Sequence, residues 1–199
     1  MFRQACKRSL ILFLIMTLLC GVIYTMVITG IAQLLFKEKA NGSKIEVDDV
    51  EYGSELLGQQ YDDESHMWGR IMLPDVTTYK NEKGEPLLYA KASNKSPASK
   101  EYQEEINRRV AMIREANPQA ETKDIPVELV TCSGSGLDPH ISKAAAEYQV
   151  PRIAAENGMT EDEVRDIIKK HTTGRLFGIL GEETVNVLKV NLELEGVLP

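Results

Sequence analysis

The chain has 199 residues, 43 % of them hydrophobic and 27 % charged, with a net charge of −7. The charge is lopsided: Arg3, Lys7 and Arg8 open the chain without an acid, whereas the part after residue 36 holds 20 basic against 30 acidic residues, a net charge of −10. Such a domain is unsuited to nucleic acid, and three cysteines at 6, 20 and 132 offer neither a disulfide framework nor a C-x-x-C metal or redox pair.

Residues 10–36, LILFLIMTLLCGVIYTMVITGIAQLLF, carry no charge. At about 1.5 Å of rise per residue this run reaches about 40 Å as a helix, more than the roughly 30 Å hydrocarbon core, and it predicts one transmembrane span. A cleaved secretory signal would have a shorter apolar stretch ending at small residues, and Leu18-Leu19 before Cys20 makes a poor lipobox, so the span is read as a retained anchor. The basic residues before it, against the nearly cancelling Lys37, Glu38 and Lys39 after it, predict residues 1–9 in the cytoplasm and the rest outside a cell membrane. Cys6, Cys20 and Cys132 then fall in three different compartments. Thr17, Gly21, Thr25, Thr29 and Gln33 recur every four residues and so share one slowly drifting helix face. Small and hydrogen-bonding side chains on that face suit packing against a membrane helix of another chain.

After the anchor, residues 37–52 read as a turn-rich linker and residues 53–199 as one domain, long enough for a core of its own. Residues 86–92, PLLYAKA, suggest a short strand. From Ser99 the pattern is helical, with Tyr102, Ile106, Val110 and Ile113 on one face, until Asn117-Pro118 stops it. Residues 125–131, IPVELVT, alternate and are rich in β-branched side chains, which predicts a strand. A loop shaped by Gly134, Gly136 and Pro139 follows, and Ser142 is placed to cap an alanine-rich helix that Pro151 should kink or restart. Thr160-Glu-Asp-Glu163 is a capping box for a helix burying Val164, Ile167 and Ile168, with Lys169, Lys170 and His171 at its negative end. Residues 182–193 suggest a last helix. Strands and helices mix without a βαβ rhythm, so the expected class is α+β.

Catalytic signals are weak. Ser133-Gly-Ser135-Gly lacks the spacing of a nucleophile elbow, and no phosphate-binding glycine loop is present. Asp138 and His140 stand two apart, but no second cluster completes a metal site, so no catalytic residue and no metal are expected.

One block is specific. Ser135-Gly136-Leu137-Asp138-Pro139-His140-Ile141-Ser142, followed by Ala144-Ala145, Gln149 and Arg152, resembles the signature of the KdpC family, the C subunits of Kdp-type potassium-transporting ATPases. Three further matches run in the same order: Gly53-Ser-x-Leu-Leu-Gly-Gln59, Thr173-Gly-Arg-x-x-Gly-x-x-Gly181 and Val185-Asn-Val-Leu-x-x-Asn191. With the N-terminal span, the resemblance covers nearly the whole chain. It departs at Lys143 and Glu183, where the family often has proline, and at residues 67–74, which lack an aromatic-x-x-Arg-Pro-Ser run.

The resemblance implies a non-catalytic subunit of an ATP-driven, high-affinity potassium uptake complex, whose partners are a potassium-translocating KdpA-like subunit, a P-type ATPase KdpB-like subunit and a small KdpF-like peptide. The chain agrees by what it lacks: the Asp-Lys-Thr-Gly phosphorylation motif and a T-V-G-Y-G filter loop. The family is also described as a catalytic chaperone that raises ATP affinity in the hydrolytic subunit, with the glutamine matching Gln149 as a nucleotide contact. An outward-facing domain conflicts with that role, so no firmly bound cofactor is expected and ATP enters only through the complex. The competing reading is a stand-alone membrane-anchored sensor that uses residues 135–142 as a ligand site.

Overall fold

The computed structural model describes residues 2–75, 77–85 and 89–199. The chain divides between Lys44 and Ile45 into two compact units. In the first, one apolar helix runs Phe2–Leu35, with its most apolar window wholly exposed on the isolated chain. It is built of α1 (Phe2–Met16), a π-helical stretch (Thr17–Tyr24) and α2 (Thr25–Leu35). No proline or charged residue interrupts residues 10–36, so every backbone group there can be satisfied within the helix, as lipid requires. At the end of the π stretch the Thr25 hydroxyl donates to the Cys20 carbonyl at 3.2 Å. After Phe36 leaves helical geometry, α3 (Lys37–Ala40) adds one turn. Asn41 then exchanges two amide hydrogen bonds with Gln33, at 3.1 and 3.2 Å.

β1 (Lys44–Val47), whose first residue closes the first unit, and β2 (Val50–Ser54) form a two-stranded sheet turning at Asp48 and Asp49, both at positive φ. Two such residues form the primed turn that matches strand twist. The stretch read as a turn-rich linker contains α3 and most of a hairpin. β3 (Pro74–Asp75) pairs antiparallel with β4 (Tyr89–Ala90); the first three residues of the strand expected over 86–92 lie outside the described residues. α4 (Lys100–Ala116) begins where the Ser99 hydroxyl accepts from the Tyr102 amide at 3.3 Å, and ends at Asn117, before Pro118. It buries Ile113 fully, with Ile106 and Val110 partly covered.

Three expectations need correction. Residues 125–131 do not form a strand: Val127–Leu129 is a single 3-10 turn, closed by Leu129 N–H to the Pro126 carbonyl at 3.0 Å. Pro126 has no N–H to give a ladder. The turn buries Leu129 completely and swings Glu128 round to accept from the Ser142 amide at 2.6 Å, so burial overrides β propensity. Of the kink or restart expected at Pro151, the restart does not occur; α5 runs as one helix over Lys143–Asn157. Val150, Ile153 and Ala154 are buried on both sides of the proline, and this packing holds the helix together across the missing hydrogen bond. Finally, the last helix does not begin at 182. The β-branched pair Thr184-Val185 belongs to β7 (Thr184–Asn186), and α7 (Val187–Leu194) starts only after Asn186, whose side chain accepts from the Lys189 amide at 3.0 Å.

β7 is the centre of a three-stranded antiparallel sheet, between β5 (His140–Ser142) and β6 (Thr172–Thr173), with Ile141 opposite Val185 and Thr172 opposite Val185 on the other side. α6 (Glu161–Lys170) enters through the expected capping box, the Thr160 hydroxyl and the Glu163 carboxylate each satisfying the other's backbone N–H. Helices α5 and α6 and the sheet enclose a core of Met67, Trp68, Ile113, Leu129, Ile141, Ile153, Val164, Val185 and Val190. The architecture is one N-terminal apolar helix and an α+β domain.

Candidate functional site

Residues 135–142 form a loop that folds on its own side chains. The Ser133 hydroxyl accepts from the Gly136 amide at 2.8 Å, the Ser135 hydroxyl from the Leu137 amide at 3.1 Å, and Asp138 from the His140 amide at 3.0 Å. Arg70 ties this turn down, its Nε 3.3 Å from Asp138. Pro139 gives its carbonyl to the Val187 amide at 3.0 Å, Ile141 is buried, and Ser142 caps α5 by accepting from the Ala145 amide at 3.2 Å. His140 stands 3.7 Å from Asp138 at the edge of β5.

The loop is pressed against residues 53–59. Gly58 donates its N–H to the Leu137 carbonyl at 2.8 Å, and a Cβ on Gly58 would lie 2.9 Å from the Asp138 carbonyl oxygen. On the other side a Cβ on Gly136, whose φ is +75°, would lie 2.6 Å from the Lys91 backbone. Asn186 of the third motif donates to the Glu55 carbonyl at 2.8 Å. Motifs far apart in sequence therefore meet here, and Gly58 and Gly136 are places where two backbones touch.

Behind the loop, Gln149 and Arg152 point into the core. Gln149 is wholly buried and its amide is fully used: Oε1 accepts from the Trp68 N–H at 2.8 Å and from Arg152 Nη2 at 2.8 Å, and Nε2 donates to the carbonyls of Trp68 (3.0 Å) and Ala145 (3.1 Å). Asn191, equally buried, clasps Met67 the same way, at 2.7 Å to its N–H and 3.0 Å to its carbonyl. Arg152 adds bonds to the carbonyls of Glu64 and His66 and to Asn117, and its guanidinium lies 4.7 Å from the Trp68 ring centre. Asn157 donates to the Ser65 carbonyl at 2.7 Å. Residues 64–68, which belong to no helix or strand, are thereby given hydrogen-bonding partners by side chains of α5 and α7, which a buried backbone requires. Burial draws the Arg152 guanidinium down to about 10 against the pull of Glu64 and Asp63. Arg109, buried against Trp68 at 5.3 Å, contacts the Leu129 carbonyl at 3.0 Å.

The polar arrangement is thus structural in its chemistry: it holds backbone, and Gln149 has no polar atom left for a ligand. No role beyond Asn117 ending a helix was read from sequence for Trp68, Asn117, Asn157 or Arg109; single polar or aromatic residues carry no local signal of partners so distant in the chain. Lys143 and Glu183, the two departures from the family pattern, meet each other at 3.2 Å. Of the anchor residues, Thr17, Gly21, Thr25 and Thr29 are exposed, and Gln33 is engaged by Asn41.

The chain matches the model of the family described as "KdpC: K+-transporting ATPase, c chain" over residues 6–196, anchor and domain together. It is 56 % identical over 197 residues to a Clostridium botulinum protein named potassium-transporting ATPase KdpC subunit, covering 99 % of this chain and 98 % of that protein. The proteins of that name from Clostridium perfringens (57 % over 192 residues, 96 % and 97 % covered) and Methylococcus capsulatus (44 % over 195 residues, 96 % and 97 % covered) are similar throughout. A match that takes in both the apolar helix and all four motifs places this chain in the KdpC family, the c chains of K+-transporting ATPases.

Proposed function

We propose that this chain is the single-span accessory subunit of an ATP-driven potassium uptake complex in a bacterial cell membrane, assembling with a potassium-translocating subunit, a P-type ATPase subunit and a small KdpF-like peptide. The observation that carries this is the full-length family match, which spans the anchor as well as the domain. The face Thr17, Gly21, Thr25, Thr29 and Gln33 packs on membrane helices of the partners. The N-terminus is cytoplasmic and the α+β domain outside, and the net charge of −10 beyond residue 36 raises the local cation concentration at the ion entrance. Its contribution to the pump is assembly; any rise in ATP affinity of the hydrolytic subunit is transmitted through the complex, since Gln149 is buried and fully bonded.

The test is extraction in mild detergent with a tag on this chain. Recovery of a P-type ATPase and a potassium-translocating protein in fixed ratio is expected; recovery of the chain alone would return the reading to a free-standing anchored sensor. Protease added to intact spheroplasts should cut the domain, and protection there would overturn the topology.

A further inference from the structure

Residues 174–183, between β6 and β7, make an excursion that the sheet does not need, because a two-residue turn suffices to join adjacent antiparallel strands. All ten residues are exposed, among them Leu176 (61 %), Phe177 (85 %), Ile179 (76 %) and Leu180 (59 %). The excursion is nevertheless ordered as a small hairpin: Leu176 and Leu180 exchange backbone hydrogen bonds at 2.8 and 3.0 Å, and Arg175 closes the base onto Glu182 at 2.6 Å. Its tip is Phe177 at φ +54° followed by Gly178 at φ +74°. Bulky residues seldom adopt positive φ, so the backbone here is strained in a way that presents a phenyl ring to the outside. Four large apolar side chains on one hairpin form the kind of exposed patch that soluble surfaces avoid.

We infer that this hairpin inserts Leu176, Phe177, Ile179 and Leu180 into the headgroup–acyl boundary of the bilayer that anchors the chain, taking zwitterionic phospholipid as its ligand. A convex knob fits lipid without a matching cavity, and the apolar helix Phe2–Leu35 tethers the domain to lipid at high effective concentration. Charge decides the headgroup: with −10 beyond the anchor and the hairpin's own Arg175 paired to Glu182, anionic lipid repels rather than attracts. Insertion is driven by apolar burial alone.

The full chain is reconstituted into phosphatidylcholine vesicles as Phe177→Trp, with lipids brominated high on the acyl chain. The parent's single tryptophan, buried Trp68, supplies the background. At an insertion depth of roughly 5–10 Å the added emission should fall by about twofold, bromines near the chain ends should quench less, and adding Ile179→Asp should abolish the effect with an unchanged melting midpoint. Quenching no greater than the parent's overturns the inference. So does quenching that strengthens with added phosphatidylglycerol, or that disappears when the co-extracted partner subunits are present, which would make the occupant a protein.

Discussion

Replacing Gln149 with leucine tests whether this side chain is a structural clasp. The substitution keeps volume and removes four hydrogen bonds. Ala145 keeps the helical bond to its carbonyl, so three groups are left bare: the Trp68 N–H, the Trp68 C=O and Arg152 Nη2, whose one hydrogen bond is to Gln149. A buried polar group without a partner costs about 1–3 kcal/mol. Three such groups, offset by the better burial of leucine, come to about 4 kcal/mol, or roughly 8–16 °C of melting temperature for a chain of this size. The assay is thermal or denaturant unfolding of the full chain in detergent followed by tryptophan emission, since the chain's one tryptophan sits at the clasp itself. Emission of the folded variant should also shift as Trp68 loses its fixed environment. A cost below about 1 kcal/mol would refute the reasoning and reopen Gln149 as a ligand contact, for a glutamine held free for nucleotide is nearly dispensable to stability.

Gly58→Ala and Gly136→Ala each push a Cβ against backbone, and Gly136 also forfeits its positive φ; costs of about 1–3 kcal/mol are expected, larger at Gly136, with unfolding curves as the check. Burial holds the His171 imidazole below its usual 6.5 even though Glu193, 2.6 Å away, pulls upward. The unfolded chain then takes up the proton first, so stability is full above about pH 6.5 and falls as pH drops through the lower folded value. His171→Gln should flatten that part of the profile. Lys143→Ala and Glu183→Ala should couple by less than about 1 kcal/mol in a double-mutant cycle, both partners being about half exposed. Gly21→Leu with Thr25→Leu should release the chain from its partners; intact co-purification would remove the packing face.

Much of the architecture was legible because local chemistry and tertiary packing agree there. Ser142 and the Thr160–Glu163 box cap the helices they were expected to cap, and an uncharged N-terminal run has one solution in lipid. Errors arose where the fold overrides a local preference, as when Leu129 is buried by a turn that its β-branched neighbours disfavour. The signature motifs were visible as a family likeness, but their physical meaning was not: nothing in the spacing of Gly58 and Gly136 says that they face Asp138 and Lys91. Nor does sequence reveal that Gln149 and Asn191 serve the backbone of residues 67–68, because the side chains and the chain they hold lie more than 80 positions apart.

The π-helical turns of the anchor alter the direction in which its every-fourth-residue series travels. In an α-helix each step of four overshoots a full circle by about 40°, which would carry Gln33 about 160° round from Thr17. Through Thr17–Tyr24 the wider turns hold roughly 4.4 residues, so each step falls short by about 33° instead. Two backward steps to Thr25 and two forward steps to Gln33 nearly cancel, leaving an azimuthal offset of about 15°. A neighbouring rod could follow that seam along its whole length without having to coil around it.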